Sequence, residues 1–140
     1  MNETKTKQFL DETSLLKKIC HPSIIKVYDL YSYDSNYFVV MEYCKGGSLN
    51  DYQDKVKGKS EKFVSGIIRQ LLRALNYLHS LNIVHRDIKI DNMVFLSPLT
   101  RDNLATSIPI KIIDFGTAVK MKYRFQRDYP ISGTFKYMAP

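Results

Sequence analysis

An α+β fold is what this sequence predicts, on three observations: one long stretch of helical apolar periodicity, a pair of short β-branched and aromatic runs before it, and several brief strand-like pieces after it. The helical stretch is the strongest signal. Between Ser60 and Ser80, the residues Val64, Ile67, Ile68, Leu71, Leu72, Leu75 and Leu78 recur at three- and four-residue spacing. That stripe is broad enough to face a core, and Glu61 near its start suits the positive end of the helix dipole. With 140 residues and 44% hydrophobic content, the chain can build one domain's core.

Taken in order, residues from about Thr4 to Cys20 form an amphipathic helix, with Phe9, Thr13, Leu16 and Cys20 on one stripe and Leu10 and Ile19 beside it. His21-Pro22 ends it, because the residue before a proline is driven out of helical geometry. Glu12 lies at the edge of the stripe, where a glutamate is either solvated or turned inward toward a partner. Ile24 to Tyr31 and Tyr37 to Tyr43 read as an antiparallel hairpin around the turn-prone Asp34-Ser35-Asn36. Two glycines in Lys45-Gly46-Gly47-Ser48 permit a change of direction suited to a hinge, after which Ser48 or Asn50 caps a short helix over Leu49 to Asp54.

Beyond the long helix, Ile83-Val84, Met93 to Leu96 and Ile110 to Ile113 read as strands, the last two joined by a polar surface connection over Ser97 to Ser107. After Gly116 the chain becomes a long basic loop dotted with aromatics. There is no internal repeat and no low-complexity tract.

The two cysteines, Cys20 and Cys44, fall inside apolar stretches rather than in a spaced framework, which indicates buried reduced thiols. No run is long enough to span a membrane, and Met1-Asn2-Glu3-Thr4-Lys5 is too polar for a signal peptide, so a soluble cytoplasmic chain is expected. The net charge of +7 comes from Lys and Arg scattered over all segments, with no basic run of five. A solvated basic surface accounts for it, and neither a nucleic-acid nor a membrane partner is expected.

Chemistry concentrates in His85-Arg86-Asp87-Ile88-Lys89-Ile90-Asp91-Asn92. An Asp and a Lys two positions apart in a loop can address the same small volume, one as hydroxyl orienter or proton acceptor, the other as a point charge for an anion. The Asn five positions after the Asp can give an oxygen to a hard cation. Asp114-Phe115-Gly116 follows a strand-like Ile110-Lys111-Ile112-Ile113, and Gly133-Thr134 and Met138-Ala139-Pro140 come later. In order and spacing this set resembles the eukaryotic protein kinases of the serine/threonine type. Tyr77-Leu78-His79-Ser80 and the insertion from Ser97 to Pro109 look most like the calmodulin-dependent and calcium-dependent group.

The resemblance covers the whole chain and implies an incomplete kinase-like fold. Residues 1–43 would be the end of the N-lobe, with its αC helix and hairpin, and residues 44–140 the hinge and the C-lobe as far as the activation segment. It implies that Asp87 orients a protein Ser/Thr hydroxyl and accepts its proton, and that Lys89 neutralises the transferring γ-phosphoryl of ATP. Asn92 and Asp114 would hold Mg²⁺. Met41 matches the gatekeeper, Glu42 and Cys44 present backbone groups to adenine, and Val94 belongs with them and Asp114 in the nucleotide site. Glu12 matches the glutamate that pairs with an ATP-positioning lysine. Leu16, Val27, His85 and Phe115 match a stacked apolar column, which makes His85 structural; His21 and His79 are read as structural too. Arg86 before the catalytic aspartate suits an activation segment ordered by phosphorylation, with Ser132, or secondarily Thr117, as the phosphosite. Thr134 would pack near Asp87 and Lys89.

The sequence departs from the family pattern in having no Gly-rich loop and no lysine strand ahead of Glu12, and in stopping before the glutamate of the Ala-Pro-Glu motif. A piece of this kind is expected to leave apolar helix surface open and to be marginally stable. Two readings follow: an ATP-dependent serine/threonine kinase represented by part of its domain, and a non-catalytic, pseudokinase-like binding or regulatory piece.

Overall fold

The computed structural model describes residues 10, 13, 14, 16–34, 36–56, 61–100, 108–122 and 131–138. Glu12 and Phe9 lie outside them, as do residues 139 and 140. Residues 13, 14 and 16–18 are helical, with Thr13 buried and Leu16 packed against the core. The helix stops sooner than the periodicity suggested. Ile19 is buried just past it, whereas Cys20 is exposed, so the stripe turns inward one residue before the cysteine. Cys44 is partly buried, and both thiols are free.

The hairpin forms from β1 (Val27–Tyr33) and β2 (Asn36–Met41), paired antiparallel from Val27↔Met41 to Tyr33↔Asn36 with a bulge between Val27 and Asp29. Asp34 takes the left-handed conformation at the turn, φ 46°, which Asp tolerates better than most residues. Past β2, Leu49 holds the N-cap position of the next turn without a side-chain bond of its own, and Ser48, one residue earlier, takes up the bonding rather than Asn50. Its hydroxyl accepts the Asp51 N–H at 3.2 Å, while the Asp51 carboxylate accepts the Ser48 N–H at 2.7 Å. These reciprocal bonds start a 3₁₀ turn, Asn50–Tyr52, that runs into a short helix, Gln53–Val56.

The long helix spans Glu61–Ser80 and buries Phe63, Ile67, Leu71, Ala74 and Leu78. This face is rotated from the full predicted stripe. Val64, Ile68 and Leu72 form a second row that stays exposed, because periodicity marks which residues share a face but not which of two adjacent rows meets the core.

β3 (Ile83–Val84) pairs antiparallel with β6 (Val119–Lys120), and β4 (Met93–Phe95) with β5 (Ile110–Ile112). β6 falls in the stretch that reads as loop from sequence; two residues are too short a run to show a period of two. Gln70 on the long helix fastens the start of β5, donating to the Ile108 C=O at 2.8 Å and accepting the Ile110 N–H at 3.1 Å. Ile24 bridges Ile112 in parallel, and Ile19, Ile24 and Ile25 join the helix and β4/β5 in one core cluster. At about 1.5–3 kcal/mol for each large apolar side chain buried, this cluster is the main source of cohesion. Among the described residues, no helix is long and apolar enough to cross a membrane.

Candidate active site

The residues 85–92 follow β3 and lead into β4, so both ends of the loop are anchored in strands. His85 is almost fully buried. Its Nδ1 accepts the Asp87 N–H at 3.3 Å, and its Nε2 lies 3.1 Å from the Ile113 C=O, an arrangement that suits the neutral ring protonated on Nε2. The ring packs on Phe115 with centroids 4.7 Å apart. Burial, opposed by the Ile113 carbonyl and nearby carboxylates, holds the His85 pKa below its usual 6.5. These contacts agree with a structural His85.

Arg86 has φ 68°, unusual for a side chain with a Cβ and worth about 1–3 kcal/mol of strain. Neighbours keep it there: Arg86 Nε donates to the Thr117 C=O at 2.6 Å, and Thr117 Oγ1 donates to the His85 C=O at 2.9 Å. The strained residue aims the next one inward. The Asp87 carboxylate receives four donors. Oδ1 accepts the Thr134 N–H at 2.8 Å and the Thr134 hydroxyl at 2.7 Å, while Oδ2 accepts Lys89 Nζ at 2.7 Å and Asn92 Nδ2 at 3.1 Å. Lys89 Nζ also reaches Thr134 Oγ1 at 2.8 Å. Hydrogen bonding by Lys89 first, then by Thr134, lowers the Asp87 pKa to about 2, and the carboxylate in return raises that of Lys89.

Asn92 is buried, and Nδ2 donates also to the Asp87 C=O at 2.9 Å. With the amide nitrogen committed to Asp87, Oδ1 is the group left for a cation. The Asn92 C=O accepts the Ile113 N–H at 3.0 Å, so the β4/β5 ladder sets Asn92 across from the residue before Asp114. Asp114 is exposed, holds φ 59°, and accepts the Gly116 N–H on Oδ1 at 3.3 Å. An amide oxygen and an exposed carboxylate are hard donors of the kind Mg²⁺ takes one or two at a time beside phosphate oxygens and water.

On the other side of β4, the segment from Lys45 to Leu49 is laid along residues 93–96. Lys45 N–H reaches Leu96 O at 3.2 Å, Gly46 N–H reaches Phe95 O at 3.0 Å, Gly47 O accepts Phe95 N–H at 2.9 Å, and Leu49 N–H reaches Met93 O at 2.7 Å. Val94 is therefore held beside the glycine turn, bridged to Ser48.

The protein kinase domain model matches residues 1–140. The chain belongs to this family. Among its relatives, the cell cycle serine/threonine-protein kinase CDC5/MSD2 of Saccharomyces cerevisiae is 33% identical over 99% of this chain and 18% of its own length. The serine/threonine-protein kinase ULK1 of Homo sapiens is 35% identical over 92% of the chain and 12% of its own length. Calcium-dependent protein kinase 6 of Plasmodium berghei is 37% identical over 93% of the chain and 8% of its own length. The chain thus spans less than a quarter of each of these three. A calcium-dependent kinase is among them, beside two other serine/threonine kinases at similar identity.

Within the kinase framework, the structure brings Asp87, Lys89, Asn92 and Thr134 into direct contact and sets Asp114 at the same end of the β4/β5 ladder. Met41 ends β2 about half exposed, at 49%. Sequence reasoning missed Lys111. It is buried in β5 and ion-paired at 2.8 Å with Glu42, a residue whose side chain had been given no task. The signal was present: a lysine inside Ile110-Lys111-Ile112-Ile113 has to find a carboxylate if that strand is buried.

Proposed function

We propose that this chain carries the phosphoryl-transfer loop of an ATP-dependent serine/threonine protein kinase, with Asp87, Lys89 and Asn92 as its catalytic residues. The observation that carries the reading is the saturated Asp87 carboxylate, held by Lys89, Asn92 and Thr134. A carboxylate with a pKa near 2 is a weak base. It therefore serves first to orient a substrate hydroxyl by accepting its hydrogen bond, taking the proton only when the oxygen has begun to bond to phosphorus. Lys89, shared between Asp87 and Thr134, places an ammonium where the negative charge of the γ-phosphoryl group passes. The Thr134 hydroxyl fixes Lys89 and Asp87 relative to each other.

Asn92 and Asp114 would hold Mg²⁺, which when bound would supply positive charge to offset that of the ATP phosphates. Residues 1–43 then correspond to the end of an N-lobe and residues 44–140 to the hinge and the start of a C-lobe. Glu42 and Cys44 offer backbone groups to adenine. The Lys26 N–H is taken by the Glu42 carboxylate at 3.3 Å rather than by its C=O, which leaves that carbonyl, as far as the described residues go, open to a base amino group. Val94 lies beneath, on β4. The test is phosphate transfer from labelled ATP to Ser- and Thr-containing peptides by the full-length protein. Asp87→Asn should lower turnover by about 10²–10⁴-fold while leaving Mg·ATP binding intact. Unchanged turnover in that variant rejects the assignment and favours the non-catalytic reading.

A further inference from the structure

One buried charge has no task in phosphoryl transfer. The Lys111 side chain is only 10% exposed, and its Nζ meets Glu42 Oε2 at 2.8 Å and the Ile24 C=O at 3.5 Å. A buried ammonium without a carboxylate is strongly unfavourable, so this residue makes β5 dependent on Glu42. Glu42 is equally committed. Its N–H donates to the Lys26 C=O at 2.8 Å, and in an ordinary antiparallel pair its own C=O would accept the Lys26 N–H in exchange. The side-chain carboxylate takes that bond instead, at 3.3 Å.

The Lys26 ammonium turns the other way, to the Lys17 and Ile19 carbonyls at 3.4 and 3.5 Å, where the N-terminal helical segment ends. A single carboxylate thus joins the segment after that helix, the strip following β2, and β5. From β5 the chain runs directly through Ile113, whose N–H is bound to the Asn92 C=O, to Asp114.

We propose that the Glu42–Lys111 ion pair is a positioning device that locks the nucleotide-carrying strip to the strand presenting Asp114, so that adenine contacts and metal ligand keep one spacing. This rests on the kinase reading above. Lys111 touches no reacting atom; it acts through Glu42 and through the backbone of β5. Replacing the Glu42 C=O in the ladder by its carboxylate has a second result: the carbonyl stays available to the nucleotide only while the side chain is held by Lys111.

The experiment uses the full-length protein with Lys111→Met, Glu42→Gln, both together, and Lys111→Arg. KM for ATP and kcat are measured, together with hydrogen exchange at the Ile113 amide. Each single neutral variant should raise KM about tenfold with kcat within about twofold, a loss of about 1.4 kcal/mol in nucleotide binding. Ile113 exchange should quicken in both. The double variant should be no worse than either single, because the pair is lost only once, and Lys111→Arg should restore most of the effect. Additive losses, a fall in kcat with KM unchanged, or unaltered Ile113 exchange would each overturn the proposal. Should the wild-type protein neither bind ATP nor transfer phosphate, the kinase reading fails separately. Exchange at Ile113 then decides the locking role by itself, quickened exchange supporting it and unaltered exchange refuting it.

Discussion

The catalytic loop and the strip after β2 flank the same strand, β4, yet they are built by opposite means. In residues 85–92 the geometry is made by side chains: Asp87, Lys89, Asn92 and, from afar, Thr134 close on one another through charge-assisted bonds of 2.7–3.1 Å. In residues 45–49 it is made by backbone groups that ladder onto residues 93–96, and by the lack of a Cβ at Gly46. A side-chain site should fail in function when one polar group is removed, while the fold survives. A backbone site should fail in stability when one methyl group is added.

After Asp87→Asn itself, the largest expected effect breaks the first half of that comparison. Thr134→Val keeps the shape and the backbone N–H to Asp87 but deletes the hydroxyl that donates to Asp87 and accepts from Lys89. Turnover should fall about 10²-fold, as for a displacement of roughly 1 Å in a reacting group, while the unfolding midpoint barely moves. Thr134→Ser should recover most of the activity. A valine variant with full turnover would show that Lys89 needs no third partner.

The same contrast explains what could be read before the structure was seen. Motif residues carry their chemistry in their side chains, so Asp87, Lys89 and Asn92 stood out as acid, base and amide in one loop, whereas Asp114 was named, and Thr134 expected near Lys89, through the resemblance to the family. Lys111 could not be placed so easily, because its role depends on β5 meeting the strip after β2, 69 residues apart in sequence, at Glu42 and Lys111. The exposed row Val64, Ile68 and Leu72 has the same apolar character as the buried row Ile67, Leu71 and Leu78, and only packing tells them apart. β6 was invisible because its two residues are held by pairing with β3 rather than by propensity.

For the backbone-built region, Gly46→Ala is the sharpest probe. A Cβ there would collide with the Phe95 carbonyl oxygen and the Phe95 Cβ, which are parts of β4 and cannot swing away. The strip would have to lift from β4, costing about 1–3 kcal/mol, read as a lower denaturant midpoint. ATP affinity should fall in parallel, since Val94 and the strip separate. A smaller effect is expected at Ser48→Ala, which removes the hydroxyl capping the Asp51 N–H but spares the Asp51 carboxylate on the Ser48 N–H. About 1 kcal/mol or less should be lost. If Gly46→Ala costs no more than Ser48→Ala, the strip is looser than its ladder implies.

Acid sharpens the comparison without any substitution, and at neutral pH its effect vanishes. His85 has a folded pKa below 6.5, so the unfolded chain binds the proton more readily. Its stabilising share is present above pH 6.5 and drains away as pH falls below that value. His21, lowered by burial and then by the charge of Lys111, adds to the same step. Asp87 has a folded pKa of about 2 against 3.8, so its share is present above pH 3.8 and is lost as pH falls toward 2. Unfolding midpoints measured across this range should therefore drop in two stages, one beginning near pH 6.5 and one beginning near pH 3.8. Asp87→Asn should shrink the lower stage, although Asp29, held down to about 2 by its bond from Lys17, and Asp51, lowered by Ser48, keep part of it. Asp51 lies in the turn that follows the strip, Asp29 on β1 and Asp87 in the loop, so the fraction that Asp87→Asn removes measures how much of the acid sensitivity belongs to the side-chain site. An unchanged lower stage in Asp87→Asn would mean that the four donors around Asp87 stabilise its geometry without stabilising its charge.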